Sequence, residues 1–284
     1  MTAPFIELID AKQYGILKAG AAYLVRGSRL ALIESGTAVF AAEMDDTLGR
    51  LPIETIFLTH IHLDHAGGAG HLARLHPGAK IVVHERGCRH LADPSQLIAG
   101  VRNASPELFP LYGTPLPIPE HQLLPVSGGE VFDLGNGVLL EVIATPGHAP
   151  HHVCFLEQGT RTLFTGDAVG NWDNPVDVPL TVPPRFNLAK GLASLETLRR
   201  LQPEYLAFTH FGIANDALTH LDRYENELTV WFDRLRSLSK RQTPAQIENK
   251  IMGEAKYGSL SETERAMVAM CIQGALRSLE AGTA

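Results

Sequence analysis

The chain has 284 residues, of which 45% are hydrophobic, enough for one large core or two modest ones. Lysine and arginine total 24 against 31 aspartates and glutamates, so the net charge is −7 without long runs of either sign, which disfavours a nucleic-acid partner. No stretch approaches the roughly 18 apolar residues of a membrane span and the N-terminus lacks a signal-peptide pattern, so we expect a cytoplasmic protein with no membrane partner.

The first half of the chain contains short apolar, β-branched runs separated by glycine, proline and aspartate, as is typical of strands. Helix-forming stretches at residues 38–48 and 69–75 alternate with these runs, which indicates layered α/β packing. We expect strands at residues 5–9, 22–26, 30–34, 54–59 and 80–84.

A second series of strand-like runs follows from about residue 130 and includes one long helical stretch. The two series predict two sheets, each with helices outside. Between them, residues 85–126 are rich in proline and glycine and too long for an ordinary connection. We interpret them as a pocket-covering insertion, with a mobile loop as the alternative. In the second series we expect strands at 131–134, 138–145, 152–157, 162–165 and 205–209, and a helix at 188–201.

The chain becomes helical near Asn215, which we expect to cap a helix with one apolar stripe. Two capping-box patterns, one starting at Thr243 and one at Ser261, predict two further helices. The last helix includes the stretch AMVAMCI, is apolar on nearly every side and must therefore be covered. We divide the chain into a domain at 1–214 and a C-terminal helical extension at 215–284, which packs on the domain or on the partner in a homodimer.

The stretch LTHIHLDHAGG places four potential metal ligands within six positions, directly after an expected strand. Histidine nitrogen and carboxylate oxygen are ligands that divalent metals accept. A tight loop after a strand can direct two of these side chains one way and two another, so that one loop serves two adjacent metals. The four candidate ligands are His60, His62, Asp64 and His65.

Three later segments each place one candidate ligand where an expected strand ends: His148 in ATPGHAPHH, Asp167 in LFTGDAVG and His210 in AFTHFG. The three cysteines are widely spaced and form no CxxC pair, so we expect small buried apolar side chains rather than disulfides or zinc ligands. Six further histidines are expected to be ordinary surface or core residues. They are His71, His76, His84, His90, His121 and His220.

The order HxHxDH, His, Asp, His resembles the signature of the metallo-β-lactamase superfamily, and the likeness spans about residues 20 to 215. The resemblance implies an α/β fold in which two mixed β-sheets flanked by helices form an αββα sandwich, here with the C-terminal helical extension. Family members often carry a second histidine four residues after the His148 position, so we expect His152 to orient a ligand. The implied ligands are His60, His62 and His148 for a first metal and Asp64, His65 and His210 for a second, with Asp167 bridging both.

Two bound divalent metals would lower the pKa of water from about 15.7 to near 7, and a bridging hydroxide could then attack a carbonyl or phosphoryl centre. We therefore expect a metal-dependent hydrolase in which Asp64 and Asp167 take part in catalysis. Zinc is the first choice of metal, with iron or manganese as alternatives. Neither a GxSxG motif nor a catalytic cysteine motif is present.

The surroundings of the ligands disfavour several well-marked relatives. Asp167 is unusual in true β-lactamases, and His62 stands where flavodiiron proteins usually carry glutamate. The Cys-Gly-Arg segment typical of glyoxalase II does not follow Asp167. Lactonases fit the size and the ligand set, but their tyrosine after the bridging aspartate is absent, and Tyr112 could take its place.

We expect the substrate to be a small or medium, partly apolar ester, lactone or thioester, because the loops at 85–126 and 169–186 carry apolar side chains. The alternative is that these side chains only pack the loops. Other classes of function also remain open: a di-iron protein that binds or uses oxygen, a phosphodiesterase, or a metal-containing sensor without catalysis. The apolar side chains are Phe109, Leu111, Tyr112, Leu116, Trp172 and Phe186.

Overall fold

The structure, a computed structural model, describes residues 4–172, 178–182 and 185–284. In this part of the chain two six-stranded sheets pack face to face, and helices cover the outer face of each sheet. Large buried side chains, among them Tyr23, Phe57, Phe155 and Phe164, fill the space between the sheets. The expected αββα sandwich is confirmed.

The first sheet consists of strands whose order in space follows the chain: β1 (Ile6–Asp10), β2 (Ala21–Arg26), β3 (Leu30–Ile33), β4 (Thr55–Phe57), β5 (Lys80–His84) and β6 (Leu123–Val126). Strands β1 to β3 pair antiparallel, whereas β3 to β6 pair parallel. The sheet is therefore mixed, with its parallel half carrying the loop of four candidate ligands after β4.

The second sheet runs from β12 at one edge to β7 at the other and contains β7 (Val131–Asp133), β8 (Leu139–Ala144), β9 (Val153–Glu157), β10 (Thr162–Phe164), β11 (Tyr205–Ala207) and β12 (Ile213–Asn215). Its neighbours pair antiparallel except for β10 and β11, which are parallel. This sheet is also mixed.

Helices on the outside of the first sheet come from the first half of the chain, and helices on the outside of the second sheet come from its end. The first set is α1 (Ala41–Thr47), α2 (Leu63–Ala66), α3 (Ala69–Leu75), α4 (Glu85–Ala92) and α5 (Ser95–Ala104), and the short helix α6 (Phe109–Tyr112) that follows packs near α2 and the C-terminal helices. The second set is α7 (Leu188–Arg200), α8 (Ala217–Ser239), α9 (Pro244–Met252) and α10 (Glu262–Glu280). No helix in the described ranges is long and apolar enough to cross a membrane.

The inner strands are apolar without alternation because both faces of each sheet are covered. Every residue of β9, with the sequence VCFLE, is buried, and so are five of the six residues of β2.

Several strands end one or two residues earlier than the apolar runs predict. The clearest case is β4, which ends at Phe57 instead of Thr59 because the following residues turn into the ligand loop.

Residues 85–126, interpreted above as a pocket-covering insertion, contain α4, α5, α6 and the edge strand β6, whose Pro125 obscured the strand pattern. One expectation about local structure was wrong. Asn215 does not cap a helix, because it lies in β12, a strand that was not predicted. Helix α8 instead begins after Asp216, which adopts a left-handed conformation and makes no side-chain capping bond.

The C-terminal helices pack on the outer face of the second sheet, in a cluster with strand residues such as Leu163 and Leu206. Both predicted capping boxes, at Thr243 and Ser261, are formed. Helix α10 also reaches a second cluster, built by α2 and the segment 85–126, in which Met267 and Met270 pack. Contacts on two sides explain why the sequence of α10 is apolar on nearly every side.

Truncation of Phe232 in α8 tests whether the extension belongs to the folded core. Phe232 is fully buried and stacks on Phe186 with ring centroids 5.7 Å apart, so Phe232→Ala should lower the free energy of unfolding by about 3–5 kcal/mol. Val230, on the same helix, is 59% exposed, and Val230→Ala should change the free energy of unfolding by less than about 0.5 kcal/mol. Urea unfolding of both variants measures the difference, and equal effects would contradict this packing.

Candidate metal centre

The loop after β4 presents its candidate ligands from two kinds of local structure. The chain turns through His60 and His62, and His62 is the extended residue that precedes α2. Asp64 and His65 lie within α2, a helix of a single turn. An extended backbone and a helical backbone direct their side chains differently, so the two pairs can serve different sites.

The other three candidate ligands lie in connections of the second sheet. His148 is in the β8–β9 connection, Asp167 follows β10 closely, and His210 is between β11 and β12. His148 and Asp167 are only 4% and 3% exposed, although both have polar side chains. Connections from both sheets therefore meet at one buried polar cluster.

The seven candidate ligands form two groups, and within each group the ligand atoms lie within 4.8 Å of one another. In the first group, the Nε2 atoms of His60 and His148 each lie 2.9 Å from Nδ1 of His62. In the second group, Nε2 of His65 lies 3.6 Å from Oδ2 of Asp64. The first group is His60, His62, His148 and Asp167, and the second is Asp64, His65 and His210.

The carboxylate of Asp167 lies between the two groups. Its Oδ2 atom is 3.2 Å from Nε2 of His148 in the first group. Its Oδ1 atom is 3.1 Å from Nε2 of His65 and 3.2 Å from Nε2 of His210 in the second group. Each oxygen of one carboxylate therefore faces a different set of histidines, as a bridging ligand requires.

Burial and the buried charges set the protonation of these side chains. Burial lowers the pKa of His60, His62 and His148, so the first group offers neutral rings with free lone pairs. Burial also opposes the charged forms of His65 and Asp167, but their mutual attraction is stronger, so the pKa of His65 is raised and that of Asp167 is lowered. A bound cation can replace the protons held in the second group.

Asp167 Oδ1 faces the Nε2 atoms of His65 and His210 at 3.1 and 3.2 Å, yet none of these three buried atoms makes a hydrogen bond of good geometry to a described residue. Buried polar atoms are nearly always paired, so three of them in one place call for a missing partner. Imidazole nitrogens and carboxylate oxygens suit a divalent cation there. The residues present thus fit a pair of divalent metals that share Asp167.

Glu34, which the sequence analysis did not identify, is the buried carboxylate behind the ligand loop. It follows β3 directly and is 1% exposed. Its Oε1 atom lies 3.0 Å from Nδ1 of His65 and accepts a hydrogen bond from the hydroxyl of Thr59 at 2.5 Å. A carboxylate of this kind orients a histidine ligand by accepting from the nitrogen that does not face the metal. A lone acidic residue at the end of the apolar run LALI was the available signal.

His152 supports Asp167, in agreement with the expected orienting role. The backbone N–H of Asp167 donates to His152 Nε2 at 3.0 Å, so His152 Nδ1 carries the proton and donates to the hydroxyl of Thr145 at 2.8 Å. Gly166 has a φ of +49°, and a Cβ there would come within 2.5 Å of His152 Nε2. Only glycine therefore allows Asp167 and His152 to approach this closely.

A second support that the sequence analysis missed comes from the β1–β2 connection. Gln13 is 2% exposed, and its Nε2 atom donates to Oδ2 of Asp64 at 2.8 Å. The hydroxyl of the neighbouring Tyr14 lies 3.2 Å from that of Tyr112. Burial raises the pKa of both tyrosines, and the charge of Asp64 adds to the shift. Tyr112, which the sequence analysis put forward, therefore lies near the second group together with Tyr14.

Other residues that the sequence singled out lie elsewhere. Trp172 packs against Phe208, and Phe186 is buried against Phe232, so these two loop aromatics pack the core. Residues 173–177 and 183–184 of the same loop lie outside the described residues. The cysteines are free, with two of them buried and Cys88 half-buried. Among the described residues, the two ligand groups include none of the six histidines that were expected to be ordinary.

Glu34→Gln tests whether the buried carboxylate orients the second group. The amide keeps the size of the side chain but removes the charge that attracts the His65 ring, so metal affinity should fall by about 10–100-fold. Glu7→Gln is the matched control, because Glu7 is on the surface, where it pairs with Arg26. Chelator competition on the metal-loaded proteins measures the affinities. Equal affinities in the two variants would show that Glu34 does not orient a ligand.

Comparison with known proteins places this site in a family context. The family model "Metallo-beta-lactamase superfamily" matches residues 16–210. A "Metallo-beta-lactamase fold-containing protein" of Sulfurisphaera tokodaii is 32% identical over 198 residues, which cover 68% of this chain and 73% of the relative. An "Atrochrysone carboxyl ACP thioesterase" of Aspergillus fumigatus is 32% identical over 123 residues, 42% of this chain and 29% of that protein. A "Putative diflavin flavoprotein A 1" of Thermosynechococcus vestitus is 26% identical over 255 residues, 83% of this chain and 39% of that protein.

Solved structures agree on the fold over nearly the whole length. An archaeal metallo-beta-lactamase superfamily protein from Sulfolobus tokodaii superposes with a TM-score of 0.73 at 22% identity, covering 98% of this chain and 100% of that one. A metallo-beta-lactamase family protein from Thermus thermophilus superposes with a TM-score of 0.72 at 21% identity, covering 99% of this chain and 94% of that one. Family match, curated relative and fold together show that this chain belongs to the metallo-β-lactamase superfamily.

Proposed function

We propose that the protein is a dinuclear metal-dependent hydrolase that cleaves the carbonyl bond of an ester, lactone or thioester. The observation that carries the proposal is the carboxylate of Asp167, which faces His148 with one oxygen and His65 and His210 with the other. The buried unpaired atoms around it give the same indication. Zinc is the metal we propose, since its preferred nitrogen and oxygen ligands match the donor set.

Two divalent metals at this site would supply a hydroxide nucleophile at neutral pH and polarise the carbonyl oxygen of the substrate. The residues of the chain hold that arrangement rigid. The carboxylate of Asp167 lies between the two ligand groups. Glu34 holds the ring of His65, and His152 holds the backbone of Asp167. Asp64 is more open than His65, with a side chain 14% exposed, and Gln13 holds its Oδ2 atom. We assign to Asp64 the transfer of a proton from the attacking water to the leaving group.

A carbonyl substrate fits the surroundings of the site better than a nucleic-acid phosphodiester. The chain is acidic overall, which disfavours a polyanion. The β1–β2 connection next to Tyr14 exposes Ile16 and Leu17 at 45% and 69%, an apolar surface suited to an acyl chain. Relatives named as acyl carrier protein thioesterases support a thioester within this class.

A substrate panel with purified protein tests the proposal. Wild-type protein loaded with zinc should hydrolyse at least one of a set of aryl esters, lactones and acyl thioesters. His62→Ala should lose at least about 100-fold in kcat/KM and one of two metals, because the first group then has two histidines instead of three. His121→Ala, an exposed residue, is the control and should match wild type. Turnover of phosphodiesters alone, or full activity and two metals in His62→Ala, would refute the proposal.

A second candidate function is oxygen chemistry at two iron ions, which a donor set of histidine and carboxylate also suits. The match to a diflavin flavoprotein supports it. Metal analysis and the visible spectrum of protein purified without added metal separate the two. Iron with a charge-transfer absorption would favour oxygen chemistry, and colourless protein with zinc would favour hydrolysis.

A further inference from the structure

A short segment without regular structure, residues 178–182, lies between the metal centre and the C-terminal helices, and we call it the strap. Leu180 and Thr181 in the strap are 8% and 0% exposed. The carbonyl oxygen of Leu180 lies 3.1 Å from Nδ1 of His148. The strap is thus in direct contact with a candidate ligand of the first group.

This contact decides which nitrogen of His148 carries the proton. A carbonyl oxygen can only accept, so Nδ1 of His148 donates to Leu180, and Nε2 of the neutral ring keeps its lone pair. That Nε2 atom lies 2.9 Å from Nδ1 of His62 and 3.2 Å from Oδ2 of Asp167, where the first cation would bind. The strap therefore holds His148 in the form that a metal needs.

The strap is held in turn by the two long C-terminal helices. The hydroxyl of Thr181 donates to the carbonyl of Cys271 in α10 at 2.7 Å. Burial raises the pKa of Tyr224 in α8, and its hydroxyl faces the backbone of Leu180, which opposes that rise. Tyr224 is 4% exposed and Cys271 is 6% exposed, so both contacts are made away from solvent. A buried hydrogen bond of this kind leaves an unpaired group when one partner is removed, which makes it costly to break.

Tyr224 also reaches the segment that carries Asp167. A Cβ on Gly170 would come within 2.4 Å of the Tyr224 ring, so the ring lies directly against this segment. Tyr224, His148 and Asp167 line one small cavity of about 10 Å³, which is the room needed for a single water. Helix α8 therefore lies behind two of the four members of the first group.

We propose that the C-terminal helices are a positioning element for the first metal: Tyr224 and the Cys271 carbonyl hold the strap, and the strap orients His148. The inference rests on the proposed metal-dependent function. It assigns a role to residues beyond 210, where the family match ends, so the match itself does not imply it. Thr181 and Tyr224 act through Leu180 and His148, and neither is a catalytic residue.

Two substitutions test the chain of contacts in the full-length, zinc-loaded protein. Thr181→Val removes the donor to Cys271 at nearly constant shape, and Tyr224→Phe removes only the hydroxyl. Each should weaken binding of one of the two zinc ions by about 10–100-fold in chelator competition and leave the other ion unchanged. In the metal-free protein, where no zinc fixes the ring, histidine ¹⁵N spectra should also show that the proton of His148 is no longer confined to Nδ1, a change that a general loss of stability would not produce.

Three further variants control for folding and for loss of a hydroxyl. Thr181→Ser keeps the donor and should restore the affinity of wild type. Tyr257→Phe removes a buried hydroxyl that has no hydrogen-bond partner among the described residues, and Thr229→Val removes a surface hydroxyl that bonds within α8. Both should bind two zinc ions as wild type does.

Each outcome has a distinct meaning. If Thr181→Val and Tyr224→Phe bind both ions within twofold of wild type and His148 keeps its proton on Nδ1, the positioning role is wrong while the metal centre stands. The same holds if Thr181→Ser fails to restore affinity. If wild-type protein itself does not bind two ions, the proposed dinuclear function fails instead.

Discussion

A buried carboxylate flanked by histidines is the constraint on which this structure depends. Asp167 is almost completely removed from water, and burial of a charge is unfavourable unless opposite charge lies close to it. The rings of His65 and His210 lie beside this carboxylate, and two divalent cations would supply the opposite charge in full. The fold must therefore hold connections from both sheets in a fixed arrangement around one side chain.

Backbone bonds between the two sheets provide that rigidity. The carbonyl of Thr59, next to His60, accepts from Val153 in the second sheet at 2.9 Å. The carbonyl of Thr209, next to His210, accepts from Ala21 in the first sheet at 2.7 Å. Each bond lies one residue from a candidate ligand, so the distance between the sheets also sets the distance between the ligand groups.

The groups that orient the candidate ligands come from widely separated parts of the chain. Glu34 follows β3, Gln13 lies in the β1–β2 connection, and Leu180 belongs to the strap held by α8 and α10. Orientation of ligands by such outer contacts is as important to a metal site as the ligands themselves. The C-terminal helices therefore contribute to the same polar network as the two sheets, besides burying the outer face of the second sheet.

The sequence alone determined those features that depend on neighbours in the chain. The apolar, β-branched strand runs, the capping boxes at Thr243 and Ser261 and the spacing of HxHxDH are short-range patterns, and the structure contains each of them. Tertiary structure decided the rest. Glu34 contacts His65, which is 31 residues away in the sequence, and Thr181 of the strap contacts Cys271 of α10, which is 90 residues away. No local pattern encodes such contacts. Likewise Asn215 resembles a cap, but pairing with β11 places it in a strand, because sheet hydrogen bonds outweigh a local capping preference.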